Sequence, residues 1–316
     1  MLSLIVGDRG QDGSLLSQKL VLENEDYIGI SRKFLTYFIN GIYKIENRDN
    51  LLITYEFVKL LFDNFSFNNI YYFAAIHNSS EESDIYKQNS ELMKKINVDG
   101  FMNILKVCDS NNFGGSIFYA SSCLIYDLSK SESINEKSLF SPNCIYSENK
   151  IEAMIKSKDR YPNLNIIYGI LFNHESIYRP NSFLSSKIMR LGRDIYLKKE
   201  NRNIKIFNPE NIYDFSLAQN VVNIIYRCMK LKIKGNLIIG SGENTTIKDF
   251  YLELNLILEN KLEKYIDVEY DSANLRKSWS NIHKLKSYLN IKLPSIKDKV
   301  RYLFLSYIHN DLLVDK

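Results

Sequence analysis

Nothing in this 316-residue chain approaches the ~18 consecutive apolar residues that a bilayer-spanning helix requires. Met1 runs directly into apolar sequence without the basic segment that opens a secretory leader, so a cytoplasmic protein with no membrane partner is expected. The four cysteines, Cys108, Cys123, Cys144 and Cys228, show neither CxxC nor CxxH spacing. That argues against a zinc site and a disulfide framework, and suits a reducing compartment. No His-Cys-Asp-Glu cluster points to a metal. Blocks of one charge are missing too. The formal net charge of +4 is spread along the chain, so nucleic acid is not an expected partner. Internal repeats and low-complexity linkers are also absent.

What is present suffices for a full α/β core and a smaller second lobe. Through the first half, short apolar runs alternate with helical periodicity, the pattern of a doubly wound parallel sheet. Residues 2–6, 27–31, 70–74, 116–120, 164–172 and 235–240 read as strands. Helices are expected over 14–23, 55–65 and 90–111, the last with Leu92, Ile96, Phe101, Ile104 and Leu105 on one side. A further helix is expected between Ser141-Pro142 and Tyr161-Pro162. After Phe172 the alternation breaks down. The expected organisation is a dinucleotide-binding domain over 1–172, with 210–240 returning to it, and a smaller C-terminal α/β substrate lobe over 173–209 and 241–316.

Gly7-Asp-Arg-Gly10-Gln-Asp-Gly13 follows the first strand and opens a helix. Glycines permit the tight turn and a close approach of backbone to a pyrophosphate, whose charge the helix N-terminus attracts. In that setting the run reads as a Rossmann dinucleotide loop, with Gly7, Arg9, Gly10, Gln11, Asp12 and Gly13 as candidate cofactor contacts. An acid at the end of the second strand would hold a ribose 2′-hydroxyl and repel a 2′-phosphate. Ser31 stands there instead, followed by Arg32 and Lys33. With Arg9, three cations gather at that point, which favours NADP(H) and leaves NAD(H) as the alternative. Solvated surface charge is the competing reading, more so for Lys33 than for Arg32.

Tyr146 and Lys150 lie four apart, one turn along the last of these helices. A phenol is too weak an acid to exchange protons at neutral pH unless a nearby cation stabilises its phenolate, and Lys150 is placed to do so. The hydroxyl of Ser122, at the end of the strand before, can hold the oxygen that gains or loses the proton.

Taken together these pieces resemble the extended short-chain dehydrogenase/reductase family, the Rossmann enzymes that act on nucleotide sugars. More narrowly, Gly10-Gln-Asp-Gly13-Ser14 and Gly169-Ile-Leu-Phe-Asn-His-Glu-Ser176 are similar to runs of its GDP-mannose 4,6-dehydratase branch. Asn97-Val-Asp-Gly100, Asp214-Phe215 and Gly240-Ser-Gly-Glu243 extend the resemblance to about residue 250. The resemblance implies that Ser122, Tyr146 and Lys150 are the catalytic trio, that Lys150 also anchors the nicotinamide ribose, and that Ala74-Ala75 passes beside the cofactor. It places Asn173 on the substrate diphosphate. It also implies a homodimer or homotetramer, paired through helices spanning Ser90 to Asn111 and Pro142 to Tyr161.

Two departures bear on the chemistry. Where this branch carries an acid/base Glu two residues after the serine, the chain has Leu124, which moves no proton. Cys123 is adjacent, but strand alternation turns it to the other face, as a packing residue. In the C-terminal lobe the family's Arg-Pro-x-Glu run is replaced by Asp271-Ser-Ala-Asn-Leu-Arg276, leaving Arg276 with a diphosphate-binding or a structural role. The arginine usual before the Asp-Phe pair is Tyr213, and His174 reads equally as a sugar contact or a structural residue. The favoured reading is a nucleotide-sugar 4-ketoreductase or 4-epimerase. A dehydratase using Glu175 or Glu148 as a displaced acid/base, and a cofactor-binding protein without turnover, are the alternatives.

Overall fold

The computed structural model describes residues 1–48, 52–76, 86–199, 202–272 and 275–314. In chain order they form β1 (Leu2–Val6), α1 (Gln11–Leu22), β2 (Asp26–Ile30), β3 (Phe34–Ile39), β4 (Ile42–Asn47), α2 (Tyr55–Asn64), β5 (Asn69–Tyr72), α3 (Tyr86–Lys94), α4 (Gly100–Ser110) and β6 (Ser116–Ser122). There follow β7 (Ser133–Ile134), α5 (Ile145–Arg160), β8 (Asn165–Leu171), β9 (His174–Glu175), α6 (Leu184–Tyr196), β10 (Ile204–Phe207), β11 (Ser216–Leu217), α7 (Ala218–Lys230) and β12 (Gly235–Ile239). The last are α8 (Ile247–Ile257), β13 (Ile266–Glu269), β14 (Trp279–Ser280), α9 (His283–Tyr288) and α10 (Ile296–Val314). Among the described residues no helix is long and apolar enough to cross a membrane.

The chain divides into two compact units, one of residues 1–127, 138–171 and 222–237, the other of 128–137, 172–221 and 238–316. Residues 128–137, 172, 210–221 and 238–240, expected in the first, fall in the second. An eight-stranded sheet runs β12-β8-β6-β5-β1-β2-β3-β4. β2, β1, β5, β6 and β8 are mutually parallel. Their near-continuous apolar sequences suit strands covered on both faces. The chain steps from β1 out to β2 and later returns past β1 to β5, so strand order reverses there, the place where open α/β sheets bind ligands.

The sheet is not parallel throughout. Residues 34–47, to which periodicity assigned nothing, form the antiparallel hairpin β3–β4 on the free side of β2. Its signal is Asn40-Gly41, both with positive φ (51° and 77°), the two-residue turn whose twist matches that of the strands. The single helix expected over 90–111 is also interrupted. Lys95–Asp99 makes one π-helical turn, and the fully buried Asn97 within it accepts from Ile76 N (2.8 Å) and donates to Ile76 O (3.1 Å). α5 begins at Ile145, after Cys144 rather than after Ser141-Pro142, because the Ser147 hydroxyl reaches back to accept from Cys144 N at 3.2 Å.

In the second unit α6, α8 and α10 enclose a core that includes Ile188, Phe215, Phe250, Leu254 and Phe304. Buried Asp214 ties the segment after β12 to β14, accepting from Ser241 N (2.7 Å) and Ser280 N (2.6 Å).

A Cβ at Gly41 would meet nothing within 4 Å, so replacing it tests the hairpin's backbone alone. Gly41→Ala is expected to lower the unfolding free energy by about 1 kcal/mol in denaturant titration. No change would mean the left-handed turn does not form.

Candidate functional site

The glycine loop is built by close approach. Gly7, with φ of +97°, lies where a Cβ would come 2.8 Å from Ala74 N, and Ala74 N itself donates to Val6 O at 2.9 Å. A Cβ at Gly13 would sit 2.0 Å from Gly7 O. Gly10 starts α1 with no side-chain cap on the helix N-terminus, while Ser14 Oγ donates to Asp8 O at 3.3 Å. A backbone cradle in front of a helix N-terminus fits a dinucleotide pyrophosphate. Gln11 and Asp12 open α1 as expected, and Ala74 and Ala75 follow β5 at the same carboxyl edge.

Arg32 and Lys33 stand on a tight turn after β2. Ser31 N donates to Phe34 O (2.9 Å) and Ser31 Oγ accepts from Phe34 N (3.1 Å), which projects Arg32 and Lys33, both exposed, at the tip. Arg9 lies over the Phe34 ring, 4.1 Å from its centroid. A fourth cation, not foreseen, is Arg48, which donates to Ser31 O (3.0 Å) and Leu52 O (2.9 Å) and stacks on Phe57 at 4.4 Å. Asp8 was also missed. It is buried beneath the loop because Gly29 leaves room: a Cβ there would meet its carboxylate at 2.4 Å. Burial pushes its pKa up.

Ser122 ends β6, Tyr146 opens α5, and Lys150 lies one turn on, fully buried. Lys150 Nζ donates to Ala120 O at 2.7 Å, 4.7 Å from the Tyr119 ring centroid and 5.5 Å from that of Tyr146. Burial takes its pKa from the ordinary 10.5 down to about 7. An ammonium so held is a proton-poised cation beside a half-buried phenol. Tyr119, which walls it, donates its hydroxyl to Asn97 O at 3.0 Å.

Residues 123–125 form a 3-10 turn rather than more strand, so the alternation that was to turn Cys123 away does not apply. Cys123 is buried all the same, by the turn. Ser122 Oγ caps that turn, accepting from Leu124 N at 3.2 Å, and Leu124 itself is half-exposed. Of the two suspected replacement acids, Glu148 is exposed on the first turn of α5.

Glu175 belongs to the second unit, where it is buried and committed: it accepts from Tyr213 OH at 2.7 Å and lies 3.5 Å from Arg179 Nε. Tyr213 thus has a structural use in place of the family's arginine. Asn173 Nδ2 donates to Tyr213 O at 2.6 Å, and its carbonyl accepts from Ser216 N at 3.0 Å. His174 is buried with Nδ1 2.7 Å from Phe172 O, and since a carbonyl only accepts, Nδ1 carries the proton. Arg276 is exposed, its backbone fixed to Asn211 and Ile212. Ala273 and Asn274, in the same run, lie outside the described residues.

A glycine-cradled helix N-terminus at the switch point of a mostly parallel sheet defines a Rossmann α/β protein. Residues 4–288 match the family model described as GDP-mannose 4,6 dehydratase, and the chain belongs to that family of NAD(P)-dependent nucleotide-sugar enzymes. It is similar to the GDP-mannose 4,6 dehydratase of Drosophila melanogaster, 26% identical over 266 residues that cover 78% of this chain and 66% of that one. It thus spans just under two thirds of the fruit-fly relative. The enzyme of Sinorhizobium fredii is also 26% identical, over 78% of this chain and 74% of its own length. RMD from Pseudomonas aeruginosa in complex with NADPH superposes with a TM-score of 0.79 at 17% identity, over 98% and 100% of the two chains. UDP-glucose 4-epimerase of Thermotoga maritima with UDP-glucose gives 0.77 at 18%, over 98% and 99%. At such identities the likeness establishes the fold.

The depressed Lys150 pKa carries a sign for stability. As pH rises the folded state sheds this proton near 7 and the unfolded chain only near 10.5, so native stability climbs across that window and the full cost of burial is present below it. Lys150→Met removes the cost. Its unfolding free energy, relative to the native protein, is expected to be most favourable near pH 7 and to lose that advantage toward pH 10.5, by about 1.4 kcal/mol for each pH unit climbed. A difference that does not vary with pH would contradict the buried ammonium.

Proposed function

We propose that this chain oxidises or reduces C4 of a nucleotide-linked sugar, GDP-linked by its family, as a 4-ketoreductase or 4-epimerase. One observation carries this reading over dehydration: Leu124 occupies the half-exposed position beside Ser122 where the dehydratase branch carries its acid/base. A nicotinamide cofactor held by Gly7, Gly10, Gly13 and the α1 N-terminus would take up or supply the hydride. Tyr146 gives a proton to the C4 oxygen or takes one from it, Ser122 holds that oxygen, and the Lys150 charge keeps the phenolate accessible. Glu175 serves poorly as a substitute base, since Tyr213 and Arg179 already bind it.

NADP(H) is the preferred cofactor in this reading, supported by Arg32 and Lys33 at the turn after β2 and by Arg9 on Phe34. Asn173 and Arg276 are assigned to the substrate diphosphate, and His174, already hydrogen-bonded to its own backbone neighbour, to shaping that segment. Four unbridged cysteines suit a reducing cytoplasm.

Incubation of a GDP-4-keto sugar with NADPH is expected to give stoichiometric cofactor oxidation, or an isomer of unchanged mass from a GDP-sugar in the epimerase case. Tyr146→Phe should lower either rate roughly 10²- to 10⁴-fold. Conversion of GDP-mannose with loss of water and no net cofactor consumption overturns the reading. Arg32→Ala is expected to weaken NADPH binding about tenfold or more in titration calorimetry while leaving NADH within about twofold. Equal loss for both cofactors removes the 2′-phosphate assignment.

A further inference from the structure

β4 ends the sheet, and among the described residues no strand pairs with its outer edge. Proteins blunt such edges with proline, bulges, a covering element or charged side chains; here the two charges of the edge, Lys44 and Glu46, neutralise each other. β4 contains no proline, and its six residues pair with β3 in unbroken register. Ile42, Tyr43 and Ile45 stand 71%, 57% and 45% exposed. We propose that a second copy of this chain lays its own β4 antiparallel against this edge, joining two sheets across a two-fold axis at Ile45.

Backbone parity and charge together fix the register. A two-residue turn closes on a hydrogen-bonded pair, here Ile39 and Ile42, so Ile42, Lys44 and Glu46 turn their backbone groups inward to β3. Arg48 N, donating to Lys33 O at 2.7 Å, continues that inward series. Tyr43, Ile45 and Asn47 therefore direct N–H and C=O outward. A two-fold pairing must set outward residues opposite outward residues. Centred on Ile45, it places Ile45 opposite itself, Tyr43 opposite Asn47 of the second copy, and Lys44 opposite Glu46 of the second copy, twice. Moving the axis by one residue either way sets Lys44 on Lys44 or Glu46 on Glu46, and like charges directly opposite destabilise a ladder.

The side chains agree with this register. Lys44 and Glu46 already pair within the chain at 2.5 Å, and Tyr37 OH donates to Glu46 at 3.1 Å, so the four charges alternate in sign across the axis. On the opposite face, Tyr43 and Ile45 of both copies make one apolar strip, since alternate residues of a strand share a face. This interface is separate from the helix pair that the family resemblance suggests, and it does not depend on the proposed reaction.

Sedimentation equilibrium of the full chain tests it. Self-association is expected, and Ile45→Pro should halve the assembly size, because proline there removes only an outward N–H. Lys44→Glu should weaken association about tenfold, and adding Glu46→Lys should restore it. If circular dichroism shows Ile45→Pro misfolded, the charge reversal and its rescue decide alone. A monomeric native protein, association unmoved by Lys44→Glu, or a double variant that fails to recover overturns the proposal.

Discussion

The hydrogen bond from Lys150 Nζ to Ala120 O organises the centre of the first unit. A lysine with no exposed ammonium costs stability, and nothing in packing alone requires one at this point. It ties α5 to the end of β6, so that Tyr146, four residues earlier, stands over the same cation. Tyr119 walls the ammonium with its ring and passes a hydroxyl to Asn97 O. Asn97 in turn holds both backbone groups of Ile76, just beyond the Ala74 against which Gly7 packs. α5, β6, the turn at Asn97 and the Gly7 loop are thus joined by hydrogen bonds and close packing.

That frame separates two halves of the family's chemistry. Moving a proton on and off a C4 oxygen needs a phenol, a cation and an orienting hydroxyl, and all three stand at the ends of adjoining elements. Eliminating water needs one more group able to take a proton from carbon. The 3-10 turn that would present it offers Leu124, and the one carboxylate in the matching sequence run, Glu175, is engaged by Tyr213 and Arg179.

Much of this was legible in the chain. Gly7 and Gly13 could be read because their strand-turn-helix setting leaves few alternatives, and a Cβ at either would run into neighbouring backbone. The parallel strands were readable from apolar runs, with ends displaced by a residue or two. The β3–β4 hairpin was not, because its outer strand is exposed and mixed in polarity, and only Asn40-Gly41 marks it. Cys123 came out buried for a reason other than alternation, since Ser122 caps a turn that ends the strand. Asn97 gave no sign of its role: its partners are main-chain atoms of Ile76, and main-chain contacts leave no pattern in sequence.

The central claim, that proton transfer here is confined to oxygen, is tested by running the reaction on a GDP-sugar in deuterium oxide and analysing the product by mass and NMR. No solvent deuterium is expected on sugar carbon. Deuterium at C5 or C6 would show that a carbon acid is deprotonated in this site, and would contradict it.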